Sequence, residues 1–209
     1  MSRLESRIIC LLIGIMCPVS LFVLFWWTTA ALTIYHIFLI SESGITIAAF
    51  TGLIIGIVLD VFHLKKWITR FYNANMKLMV LAYLLWSIMA VALFMGLPFG
   101  NIALGTLAGL YVGRKQYHAR ATTEIFARSI RNVSIFTTLV TGTEALLIGI
   151  LAQGEPIIVE ILQALWDLNQ FATTGLNWVS LVTIGCLALS FIQFLCTRTA
   201  ATLAFKLGK

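Results

Sequence analysis

Residues 8–40 contain no Asp, Glu, Lys or Arg. A continuous apolar run of that length cannot be hidden inside a small water-soluble core, and it is far longer than the apolar segment of a signal peptide. Four further long apolar runs follow, separated by short charged segments. They are unbroken rather than alternating, which argues for helices and against a transmembrane β-barrel. Only 11% of the residues are charged and 60% are hydrophobic. A soluble domain carries roughly 25% charged residues. The chain therefore reads as one all-α, polytopic membrane domain over residues 1–209, in a bacterial inner membrane or an equivalent bilayer.

About 20 residues in a helix cross the hydrocarbon. That length, together with the charged breaks, predicts six spans at about 8–27, 45–63, 77–96, 98–113, 132–151 and 177–197. Trp26 and Trp27 mark an interfacial belt at the end of the first, and Pro18 is a candidate kink. Residues 28–40 are left as a helical extension or interfacial segment. With the N-terminus inside, this layout puts all 14 basic residues on one side: Arg3, Arg7; Lys65, Lys66, Arg70, Lys77; Arg114, Lys115, Arg120, Arg128, Arg131; Arg198, Lys206, Lys209. The opposite segments carry Glu42, Glu155, Glu160 and Asp167. Cytoplasmic loops are enriched in Lys and Arg, so both termini are expected to be cytoplasmic. The net charge of +6 then reflects topology rather than nucleic-acid binding.

Two surface helices complete the expected fold. In the outer one, Pro156 opens a pattern with Ile158, Ile161, Leu162, Leu165 and Leu168 on one face and Glu160, Gln163, Asp167 and Gln170 on the other. Its apolar face is expected to cover residues 28–40. In the inner one, residues 114–131, Arg120, Glu124 and Arg128 stand at four-residue steps and predict stacked ion pairs. This basic segment is expected to meet anionic lipid or to dock a cytoplasmic partner.

Small residues recur every four positions at Ala48, Gly52 and Gly56, and at Gly105, Gly109 and Gly113, just after Asn101. Such ladders let helix backbones approach closely. They predict tight packing of these helices on each other, on a protein partner or on a second copy of the chain.

The most informative residue is Glu144. It falls inside the fifth predicted span, where a carboxylate must be protonated, paired or turned toward water. Ser134, Thr137, Thr141 and Glu144 follow at three- and four-residue steps and form one polar stripe, which must face the bundle interior. Thr51, Thr106 and Thr183 lie at a similar predicted depth, so Glu144, Thr141, Thr137, Thr106, Thr51 and Thr183 are the candidate substrate- or ion-binding set. No Lys or Arg lies at that depth to neutralise the acid. Asp60, close to His63 and Lys65, is expected to be a solvated or salt-bridged boundary residue.

Catalytic signatures are missing. The chain has no GxSxG, Walker A, Rossmann fingerprint, HExxH or paired-His haem pattern, and its four cysteines have no CxxC spacing. No metal or cofactor is expected. The phrases GLIIGIVLDVF and LAGLYVGRK loosely resemble stretches of the membrane substrate-binding subunits of energy-coupling-factor transporters, but an additional span separates them and no family is assigned. The residues favour a solute- or ion-transport component. The alternative is a non-catalytic subunit or assembly factor of a membrane complex, and a lipid-modifying membrane enzyme comes third.

The charge split makes a direct prediction. Single cysteines placed at Glu155 and at Lys66 should label from opposite sides of the membrane in sealed vesicles. Labelling of both from one side contradicts the layout.

Overall fold

The computed structural model describes residues 3–94, 98–152 and 175–207. The described residues form six α-helices and one short 3-10 turn, without strands. The helices are α1 (Arg3–Ile34), α2 (Glu42–Arg70), α3 (Met76–Leu93), α4 (Gly100–His118), α5 (Thr123–Leu151) and α6 (Gly175–Lys206). All but α4 are long and apolar enough to cross a membrane. Helix α4 carries Asn101, four glycines and a basic last turn, which lower its apolar character. The predicted outer helix of 156–172 lies outside the described residues.

The chain divides into two compact units, residues 1–74 and 75–209. In the first, α1 packs along α2. Helix α1 runs unbroken through Pro18 and through Thr28, Thr29 and Thr33. Those threonines donate to the carbonyls of Leu24, Phe25 and Thr29 respectively, so their hydroxyls are satisfied without leaving the helix. The buried edge of α2 is Ala49, Gly52, Gly56 and Asp60, with Ala48 half-buried beside it. A side chain at Gly52 would strike the Leu21 carbonyl, and one at Gly56 would strike Pro18. Near the basic end, the Tyr72 hydroxyl donates to Glu5 Oε1 at 2.6 Å.

In the second unit, α4 contacts α3, α5 and α6, and α5 packs along α6. The glycine face of α4 meets α6: Gly105 faces Gln193 and Thr197, Gly109 the Thr197 carbonyl, and Gly113 the Ala201 carbonyl. Each ladder thus lies against a helix of its own unit. At the other end of the α5–α6 pair, Trp178 Nε1 donates to the Gly149 carbonyl at 3.0 Å.

Side-chain caps set where several helices start. Ser41 accepts from Gly44 N at 3.2 Å, Asn75 from Lys77 N at 3.0 Å and Thr122 from Ile125 N at 3.5 Å. Each satisfies a backbone donor that the first turn leaves free.

The Thr122 cap corrects the sequence reading of 114–131. This segment is not one amphipathic helix but the end of α4, a turn, and the start of α5. Arg120 has φ 49°; its N–H bonds Tyr117 O and the next N–H, of Ala121, reaches back to Gln116 O. This is the Schellman pattern, usually completed by glycine. Arg120 is therefore off the helix that carries Glu124 and Arg128, and the predicted three-residue ion-pair stack does not form. His36, with φ 54°, ends α1 in the same way through Thr33 and Leu32, so residues 28–34 belong to α1.

Left-handed backbone costs an L-residue roughly 1–2 kcal/mol, and glycine is largely spared it. Arg120→Gly and His36→Gly should each stabilise the protein by about 1 kcal/mol, raising the thermal midpoint in detergent. A fall in midpoint for both variants contradicts the turn geometry.

Candidate functional site

The stripe on α5 points into the second unit. Ser134, Thr137 and Thr141 are each fully buried, and Glu144, one turn further along, is half-buried. Ser87 of α3 donates its hydroxyl to Glu144, 2.9 Å from either carboxylate oxygen. The side-chain amide of Asn101, in the first turn of α4, donates to Oε2. Three helices converge on one carboxylate, and both of these partners are neutral. Ser87 and Asn101 are themselves completely buried.

A polar column continues from this point toward the basic end of the unit. Thr137 and Thr197 share a hydrogen bond of 3.0 Å between α5 and α6, and the Thr137 hydroxyl also lies 3.2 Å from the Ser134 carbonyl. Gln193, completely buried, extends its amide nitrogen to within 3.5 Å of the Thr197 hydroxyl. The absence of a Cβ at Gly105 is what leaves room for Gln193 and Thr197 there. From Glu144 to Ser134 the column follows ten residues of α5, about 15 Å at 1.5 Å per residue.

Several polar atoms in the column complete no hydrogen bond. Among the described residues these include Asn101 Oδ1, Gln193 Oε1 and the Ser134 hydroxyl. The Tyr83 hydroxyl lies beside Thr141 and Glu144; its ring packs on Phe136 with centroids 5.3 Å apart. Buried polar groups are nearly always partnered by protein, water or ion, so unfilled polar atoms along a column that ends at a carboxylate suit water, a proton carrier or a small cation. Among the described residues no group of three His, Cys, Asp or Glu side chains is arranged for a metal ion.

The other candidate hydroxyls are engaged differently. Thr106 donates to Ile102 O at 2.8 Å, Thr183 to Val179 O at 2.7 Å and Thr51 to Ile47 O at 2.8 Å. Each bond stays within its own helix. Thr51 and Thr183 are exposed, Thr106 is half-buried, and Thr51 belongs to the first unit. Conversely, Ser87, Gln193 and Thr197 lie outside the candidate set, as does Asn101, which the sequence places only beside the glycine ladder. Gln193 and Thr197 are one helical turn apart in the last span, a signal of the same kind as the α5 stripe. Ser87 stands alone in an apolar run and gives no such signal.

Asp60 departs from its expected solvated position. It is only 6% exposed on the α1-facing edge of α2, where the Cys17 thiol is its neighbour. It shares the four-residue repeat of Gly52 and Gly56, which carries it into the helix–helix seam.

No family model, curated protein or solved structure matches the chain.

The convergence on Glu144 has a measurable consequence. Glu144→Ala strips acceptors from the buried donors of Ser87 and Asn101 and should destabilise the protein by about 1–3 kcal/mol, read as a lower unfolding midpoint in detergent. Glu144→Gln keeps an acceptor oxygen and should lose less than half of that. Equal stability of Glu144→Ala and wild type contradicts the site geometry.

Proposed function

We propose that this multi-pass helical membrane protein is a solute- or ion-transport component in which Glu144 takes up and releases a proton or a small cation. Six spans with both termini on the basic side form the frame of this reading, in which α4 crosses inside the bundle. The observation that carries it is the half-buried Glu144 carboxylate, bound by two neutral side chains inside a column that also holds unfilled buried acceptors.

The chemistry follows from those partners. Ser87 and Asn101 supply hydrogen bonds but no positive charge, so they orient the carboxylate without neutralising it. A proton or cation supplies the missing charge. Thr141 and Tyr83 bring further hydroxyls beside the acid, and Gln193 and Thr197 extend the polar lining along α6. A carboxylate with a pre-oriented neutral shell binds a cation without having to break an internal ion pair. Intramembrane acids in pumps and transporters serve this kind of relay.

Glu144→Gln should fold and reconstitute like wild type, because the amide mimics the neutral acid in shape. Its proton- or cation-coupled flux should fall at least ten-fold, a loss of about 1.4 kcal/mol or more in the exchange step. Proteoliposomes loaded with a pH-sensitive dye or a cation indicator measure this. Full flux in Glu144→Gln removes the exchange role.

A further inference from the structure

A cavity of about 640 Å³ lies between the first three turns of α5 and the last turns of α6. Its walls carry Arg128 and Arg131 from α5 and Arg198 from α6. Glu124, one helical turn before Arg128, also lines it. Three guanidinium groups against one carboxylate leave an excess of two positive charges in one concave site. Arg198 stands over the Phe194 ring at 6.0 Å, which steadies its position without consuming its charge.

Ser134 is a second, independent observation at the same place. It is the deepest α5 residue lining the cavity, it is completely buried, and its hydroxyl has no hydrogen-bond partner. A buried hydroxyl facing a basic cavity offers an anion a donor beyond the reach of the exposed arginines. The site is independent of the exchange chemistry at Glu144, although Ser134 also ends the polar column.

We propose that this cavity binds the phosphate of an anionic phospholipid headgroup. Planar guanidiniums match phosphate oxygens through paired N–H donors, and basic pockets between spanning helices commonly take such headgroups. The setting favours a lipid over free phosphate. The cavity lies where the spans meet the basic face, and apolar side chains continue from it along both helices. Ile135 and Leu139 follow Ser134 on α5, and Phe191 and Leu195 flank Phe194 on α6, all exposed. They offer a surface on which acyl chains can lie while the phosphate sits among the arginines. The anionic-lipid contact expected of the basic segment thereby gains an address on two helices, with Arg198 supplied by the second.

The test uses the full-length protein, delipidated in mild detergent and titrated with phosphatidylglycerol or phosphatidylcholine, with bound lipid read by native mass spectrometry. Phosphatidylglycerol should bind preferentially. Arg128→Gln, Arg131→Gln and Arg198→Gln should each weaken it about five-fold, the equivalent of about 1 kcal/mol per arginine. Ser134→Ala should weaken it as well, and Lys66→Gln, in the other unit, should not. The three arginines are exposed, so their single variants should fold; should one fail, the other two carry the test. Equal binding of the two lipids, or unchanged binding in the arginine variants, overturns the proposal. Full displacement of phosphatidylglycerol by equimolar inorganic phosphate overturns the lipid source in favour of a free anion.

Discussion

The hydrogen bonds that Ser87 and Asn101 give to Glu144 set a demanding condition on the second unit. A carboxylate inside an apolar bundle must find its donors within the protein, and those donors come from two other helices. Helix α4 must therefore lie close enough to α5 for a short asparagine side chain to reach across. Its glycines make the required approach on the α6 side, where Gly109 and Gly113 abut backbone carbonyls and Gly105 leaves room for Gln193 and Thr197. Asn101, Gly105, Gly109 and Gly113 repeat every four residues, so one face of α4 both packs the unit and serves its polar interior. The same composition explains why α4 is the least apolar of the six helices and why its flanks are covered by three neighbours.

The first unit uses close packing at four-residue spacing with a different ending. Gly52 and Gly56 let α2 sit against the backbone of α1, and Asp60 extends the same edge. Asp60 is more thoroughly buried than Glu144, yet a thiol stands beside it where Glu144 has a hydroxyl and an amide. The two acids thus stand in opposite situations. One is oriented by neutral hydrogen bonds and flanked by further polar groups, and the other is pressed into a helix seam beside a thiol.

Much of this arrangement was legible in the chain. The α5 stripe was readable because Ser134, Thr137, Thr141 and Glu144 keep helical spacing, and spacing fixes which side of a helix a residue occupies. Thr51, Thr106 and Thr183 share only a predicted depth with Glu144. Depth gives the height of a residue but not its direction, and a threonine in a helix can satisfy itself on the carbonyl four residues back. Ser87 was illegible because a single hydroxyl in an apolar span has no pattern. The segment 114–131 read as one helix because Arg120, Glu124 and Arg128 imitate a four-residue repeat. The Thr122 cap and the left-handed Arg120 break it, and neither is visible in charge spacing. Proximity to His63 and Lys65 places Asp60 near the boundary, while its four-residue register with Gly56 buries it.

The coupling between Asn101 and Glu144 is the most direct measure of this convergence of helices. A double-mutant cycle of Asn101→Ala and Glu144→Ala, with unfolding free energies measured in detergent, isolates it. The two substitutions should be non-additive by about 1 kcal/mol or more, as for residues in one hydrogen-bond network. Additivity within about 0.3 kcal/mol, the behaviour of distant and independent sites, would contradict it.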